Sequence, residues 1–204
     1  MLGISIDEFD VADPLHKQAR QKAKAVNFGV IFGSGAAGLR EFARDAYGVD
    51  MTLDEAQSVI DGFLRTYPAV ARWQERQAEQ ARRTQTVSTV GGRVYRFAWE
   101  AGRRYSRNLA LNLPVQGTAA EIALEATTRI SDRLARELYN TAQLVLQIHD
   151  EFVVEAKADE EVIEAVKTVL IEEMKAAFLS LLPGAPTTGL VEAHAGANWA
   201  AAKS

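Results

Sequence analysis

Two groups of residues in this 204-residue chain have types and spacings that could do chemistry. The first is Arg20, Lys24, Phe28 and Phe32, which recur every four residues. On a helix, ~100° per residue leaves a drift of only ~120° over the three steps, so all four share one face. That face begins with two cations and ends with two aromatic rings, spread over ~18 Å. The order suits a nucleoside triphosphate, with phosphates on Arg20 and Lys24 and the sugar and base against the rings. Ala19, Ala23, Val26 and Val30 fall on the roughly opposite arc and are the expected packing face. Gly29 and Gly33 would leave room for a base pair beside the rings. A solvated amphipathic surface explains a lone Lys-x3-Phe pair, but explains poorly four aligned positions with glycine after each Phe.

The second group is Gln147-Ile148-His149-Asp150-Glu151, set between two runs rich in Val, Leu, Ile and Phe. The pattern predicts a tight antiparallel hairpin over Leu144 to Ala156, with His149-Asp150 at its turn. Aspartate is common in turns for purely structural reasons. Phosphoryl transfer, however, needs carboxylates held rigidly enough to bind divalent metal, and a hairpin apex on buried strands supplies that rigidity.

The elements that must position these groups are mainly helical. Asp13-Pro14 opens the first helix and Gly33-Ser34-Gly35 closes it. A second helix is expected over Ala36 to Ala46, ended by Gly48. Thr52-Leu53-Asp54-Glu55 is a capping box opening a third, and Pro68 starts a fourth that runs to about Arg83. Thr86–Thr89, Gly91-Gly92 and Arg93–Phe97 read as a small hairpin. A long helical pattern from Arg103 to Tyr139 should be interrupted near Pro114. After the carboxylate hairpin come a charged helix over about Asp159–Leu182 and a last strand over Thr188–His194. The fold class is α+β, with a small antiparallel sheet.

Composition sets the outer limits. At 48 % hydrophobic and 25 % charged, the chain can bury a substantial core and is neither disordered nor fibrous. The absence of cysteine excludes a disulfide scaffold or a Cys-based zinc site and suits a reducing cytoplasm. No apolar run approaches a membrane span, so a soluble protein with no membrane partner is expected. The net charge of −4 is unevenly spread. Nine arginines stand against three acids between Arg72 and Arg107, a block that fits either phosphate contact or a solvated surface. From Asp150 to Glu192 ten acids face three lysines, which reads as a solvated helix face.

Arg20-x3-Lys24-x3-Phe28-Gly29-x2-Phe32-Gly33 resembles motif B, the O helix of family A DNA polymerases related to bacterial DNA polymerase I. The family usually has Tyr where this chain has Phe32, so any hydrogen bond from that hydroxyl is lost here. His149-Asp150-Glu151 is similar to motif C of the same family. Asn112-Leu113-Pro114-Val115-Gln116-Gly117-Thr118 resembles its minor-groove-reading helix, although many members carry Arg where this chain has Asn108. Tyr67-Pro68, Thr89 with Gly92-Arg93, and Gly196-x-Asn198-Trp199-x3-Lys203 also fit.

The resemblance implies fingers over residues 1–100, with the O helix at about 15–33, and the C-terminal part of a palm over 101–204. It implies a DNA-directed DNA polymerase whose partners are primer–template DNA and dNTP and whose cofactor is Mg²⁺, two ions in the complete enzyme. Arg20 and Lys24 would neutralise the triphosphate, Phe28 would gate the sugar and Phe32 would stack near the template base. Asp150 would bind metal, with Glu151 an auxiliary carboxylate and Lys24 the third catalytic residue. Asn112, Gln116, His149 and Arg93 would meet DNA, the two amides sensing pair shape through shared minor-groove acceptors.

The family's other aspartate lies in motif A, upstream of the O helix, and Asp7-Glu8-Phe9-Asp10 does not have that form. The chain therefore reads as an incomplete portion, inactive alone, whose further partner is the upstream polymerase half. The alternatives are a non-catalytic DNA- and dNTP-binding remnant, one half of a split polymerase, and a related single-subunit RNA polymerase. Phe28 and Gln116-Gly117-Thr118 favour the DNA enzyme.

Overall fold

A computed structural model describes residues 10, 13–97 and 105–203. Arg103 and Arg104 of the basic block, the expected helix start at Arg103, and Asp7-Glu8-Phe9 lie outside the described residues. The described chain is mostly helical with two two-stranded antiparallel sheets, and so α+β. It divides into two compact units, residues 1–87 with 94–113 and residues 88–93 with 114–204.

In the first unit, α1 (Pro14–Ile31), α2 (Ala36–Tyr47) and α3 (Leu53–Thr66) pack around Val26, Val30, Leu39, Ala43, Ile60 and Phe63. Their ends follow local chemistry. The Asp13 side chain accepts hydrogen bonds from the Leu15 and His16 amides at 2.7 and 3.4 Å, ahead of Pro14 in the first turn. Gly48 ends α2 in the left-handed region at φ 64°, which glycine adopts without steric cost. Thr52 and Glu55 complete the capping box reciprocally, at 3.2 and 2.7 Å. Pro68 opens α4 (Pro68–Thr84), and the hairpin of β1 (Thr86–Ser88) and β2 (Val94–Arg96) follows.

The packing face of α1 differs from the sequence expectation. Ala25, Val26, Gly29 and Val30 are buried, whereas Ala19 and Ala23 are only partly so. The reason is Leu39 of α2. A Cβ at Gly29 would sit 2.6 Å from Leu39 Cδ1, so the missing side chain lets α2 pack there.

Helix α5 (Arg107–Glu137) runs through Pro114, where a break was expected. Pro114 forfeits one helical hydrogen bond, but buried residues anchor the helix on both sides: Ala110 and Leu111 before it, Ala126, Ile130 and Leu134 after it. In the second unit, β3 (Ala142–Ile148) pairs with β4 (Glu151–Ala156), Ile148 opposite Glu151, with an irregularity between Leu144 and Leu146. The core of α5 and α6 (Glu160–Leu181) centres on Ala126, Ile130, Leu134, Val166 and Val169, with Leu144, Phe152 and Val154 packed against it.

The acidic stretch is not wholly a solvated face. Arg133 of α5 lies 2.7 Å from Glu172 and 3.1 Å from Glu173 of α6, as well as 3.0 Å from Glu137. Those three carboxylates hold the guanidinium above its ordinary pKa.

The last expected strand is absent among the described residues. Thr187 to Leu190 form a turn instead, with Gly189 at φ 67° and the Leu190 amide bonded to Thr187 at 3.2 Å. A strand needs a neighbour to bond to, and β3 and β4 pair only with each other. A short helix not foreseen in the sequence, α7 (Trp199–Ala202), follows, capped by Asn198 at 3.0 Å.

Candidate functional site

Helix α1 carries the first group of residues. Arg20 is exposed, Lys24 half-buried, Phe28 51 % exposed and Phe32 half-buried. Among the described residues, neither Arg20 nor Lys24 forms an ion pair. Two uncommitted cations and a solvent-exposed phenyl ring therefore share one helix. Phe32 lies just past the last turn, as the C-cap at φ −88°, ψ 13°. The glycines do not supply the expected free space. Gly29 is filled by Leu39, and a Cβ at Gly33, itself at φ 77°, would lie 2.5 Å from Leu111 Cδ1. Both glycines permit close packing in this conformation.

Asn112 and Gln116 stand four residues apart on the continuous α5 and so share a face, Asn112 half-buried and Gln116 exposed. Arg93 belongs to the β1–β2 turn, which is clasped onto α5. Thr89 Oγ1 donates to Glu121 Oε1 at 2.8 Å, and the Val90 amide donates to Thr118 Oγ1 at 3.0 Å. Gly91 and Gly117 permit this approach, since a Cβ at either would come within 2.6 Å of Glu121 or Thr89 respectively. Arg93 Nε lies 3.4 Å from Glu121 Oε1, while its side chain stays 65 % exposed. Its charge is thus shared between that carboxylate and solvent. Glu121 was not foreseen in the sequence, because a partly buried acid that anchors a turn has no local pattern.

The β3–β4 turn carries the second group. His149 sits in the left-handed region at φ 54°, and both His149 and Asp150 are exposed. Gln147 fixes the turn from below: its Oε1 accepts from Thr127 of α5 at 2.8 Å, and its Nε2 donates to the His149 carbonyl at 3.3 Å. Glu151 is taken up by the chain's last helix. The Trp199 indole N–H donates to one carboxylate oxygen, and Lys203 Nζ lies 2.9 Å from the other. These partners, Trp199 first, hold the Glu151 carboxyl below its usual range.

Among the described residues, no three His, Asp or Glu side chains gather to hold a metal. With Glu151 engaged, Asp150 is the carboxylate left open at the tip. One open carboxylate does not fit a two-magnesium centre, so the described residues do not by themselves provide one. The helix of cations and rings lies in the first unit and the carboxylate turn in the second.

Mostly helical structure with two small antiparallel sheets is consistent with the fingers and part of the palm of a nucleic-acid polymerase. The family is specific: DNA polymerase family A matches residues 5–201, and the chain belongs to it. It is similar to DNA polymerase I of Aquifex aeolicus, 35 % identical over 85 % of this chain and 29 % of that protein. Its likeness to the thermostable DNA polymerase I of Thermus aquaticus is 34 % over 95 % of this chain and 22 % of that protein. The chain thus spans less than a third of the length of these curated relatives. A solved structure of the POL domain of Pol1 from M. smegmatis, in complex with DNA primer–template and dNTP, matches 85 % of this chain and 29 % of its own. The TM-score is 0.68 and the identity 25 %. No described helix is long and apolar enough to cross a membrane.

Proposed function

We propose that this chain is the fingers and C-terminal palm portion of a DNA-directed DNA polymerase of replication or repair, acting in the cytoplasm. The supporting observation is α1, where two cations with no ion pair among the described residues precede an exposed Phe28 at four-residue spacing. In this reading Arg20 and Lys24 bind the triphosphate of a dNTP, Phe28 packs against its sugar, and Phe32 lies toward the template base. Asn112, Gln116, Arg93 and His149 meet primer–template DNA. The reaction is attack of the primer 3′-hydroxyl on the dNTP α-phosphate, which forms the new phosphodiester and releases pyrophosphate. Asp150 would hold magnesium only together with carboxylates from an upstream polymerase half, and the metal would there stabilise charge on the reacting phosphate. Lys24 neutralises charge on the phosphates, and Glu151 supports the turn that presents Asp150.

The test supplies that upstream half in trans. The 204-residue protein alone should not extend a primer, the pair should, and Asp150→Asn should abolish extension by the pair. Extension by the chain alone, or by the Asp150→Asn pair, would overturn the assignment. The engagement of Glu151 by Trp199 and Lys203 favours a second reading, a DNA- and dNTP-binding remnant without chemistry. On that reading the pair binds both ligands and stays inactive.

A further inference from the structure

Gln74 lies near the middle of α4, 4 % exposed, and is one of only two buried polar residues among those described. Its side-chain amide Nε2 donates to two carbonyls at the end of α1: Val30 at 2.6 Å and Ile31 at 3.0 Å. The last carbonyls of a helix have no partner within it and must find donors elsewhere. In α1 the Phe32 amide serves Phe28 at 3.3 Å, the Ser34 amide serves Gly29 at 2.9 Å, and the Gly33 amide serves Val30 at 3.0 Å. Ile31 depends on Gln74. The last turn of α1 also has no basic side chain that could do this work. A buried amide is costly unless bonded, so its placement here fixes the register between the two helices more tightly than an apolar side chain could.

We infer that Gln74 is a positioning residue for nucleotide binding: it locks the C-terminal end of α1, where Phe28 and Phe32 are presented, to α4. The inference rests on the reading of α1 as the dNTP-binding helix. It separates two jobs along that helix. Lys24 and Arg20 stand about two and three turns before Ile31, so phosphate binding should not depend on the lock. Contact with the sugar and base should, because both rings sit within four residues of the bonded carbonyls. Gln74 therefore contributes to recognition of the nucleoside while touching none of it.

The experiment uses the 204-residue protein and Gln74→Met, which keeps volume and removes both donors. Gln74→Asn keeps an amide but shortens its reach, and reads the same way if Met is not tolerated. Amide hydrogen exchange at Phe32, Gly33 and Ser34 should quicken about tenfold or more, with exchange at Ala43 and Ile60 unchanged. Affinity for a fluorescent dNTP should fall about three- to tenfold, while affinity for inorganic tripolyphosphate stays the same. Unchanged exchange at Phe32–Ser34 would overturn the lock. Equal losses of dNTP and tripolyphosphate affinity would overturn the separation and leave Gln74 a general fold residue. If the parent protein binds tripolyphosphate but gains nothing from the nucleoside, the dNTP reading of α1 itself fails, whatever the exchange rates show.

Discussion

Lys203 reaches back from the end of the chain to Glu151, its Nζ 2.9 Å from the carboxylate and 4.4 Å from the centre of the Trp199 ring that bonds the same group. A cation, an aromatic ring and a carboxylate thus form a small closed set, in which the Trp ring favours the ammonium and the indole N–H favours the carboxylate. The last helix is in effect a strut under the turn that presents Asp150. Trp199→Phe with Lys203→Met should quicken amide exchange at His149–Glu151 without altering it in α6. High salt should reproduce part of the effect of Lys203→Met, since that ion pair is largely exposed. Unchanged exchange at the turn would mean that Gln147 and Thr127 suffice to hold it.

The capping box of α3 gives a second prediction. Thr52→Ala should cost about 1 kcal/mol of stability, read from the denaturant midpoint. Glu55, bonded by the Thr52 amide and hydroxyl, titrates below its ordinary range. A carboxyl depressed in the folded state binds its proton more readily when unfolded. Its contribution is therefore present above the ordinary Glu range and is lost as pH falls through the depressed folded value. Glu55→Gln should flatten the acid side of the stability curve. If that side is equally steep in the variant, Glu55 does not contribute as drawn.

What could be read in the sequence was set by neighbours along the chain. Asp13-Pro14, Thr52–Glu55 and Gly48 act over one turn, so their residues alone fix where helices begin and end. The β3–β4 hairpin was equally legible, because its strands face each other across two residues. The remainder depends on partners far away. Pro114 does not break α5 because buried residues hold both of its halves, and Thr188–His194 makes no strand because no edge pairs with it. Gly29 and Gly33 look like space for a ligand until Leu39 and Leu111 are seen to fill it. Glu121 and Trp199 each act on a residue at least 28 positions away, which no spacing rule reaches.

The basic block is the third case. Arg82 and Arg83 are exposed on the last turn of α4. Replacing them by Gln, with Arg103 and Arg104, should weaken primer–template binding. It should also flatten the dependence of log affinity on log salt, by about one unit for each phosphate that an arginine no longer neutralises. Binding isotherms at several salt concentrations read both effects. An unchanged slope would return these arginines to a solvated surface.

The last prediction tests the proposed sugar contact at Phe28, whose ring is 51 % exposed on α1 with Lys24 about one turn and Arg20 about two turns before it. In a protein carrying the upstream half, Phe28→Tyr should raise acceptance of dideoxynucleotides relative to deoxynucleotides. On the proposed placement, an apolar ring beside the sugar would leave a polar gap for the substrate's own 3′-hydroxyl to fill. A dideoxy substrate cannot fill it, whereas a Tyr hydroxyl can. One buried hydrogen bond is at stake, about 1–3 kcal/mol, or roughly ten- to hundredfold in the ratio of kcat/KM values. Phe28→Ala separates this from a loss of stacking: it should weaken both substrates without favouring the dideoxy form. An unchanged ratio in an active Phe28→Tyr protein would mean that this ring does not face the sugar. The order of contacts along α1, phosphates first and nucleoside last, would then have to be redrawn.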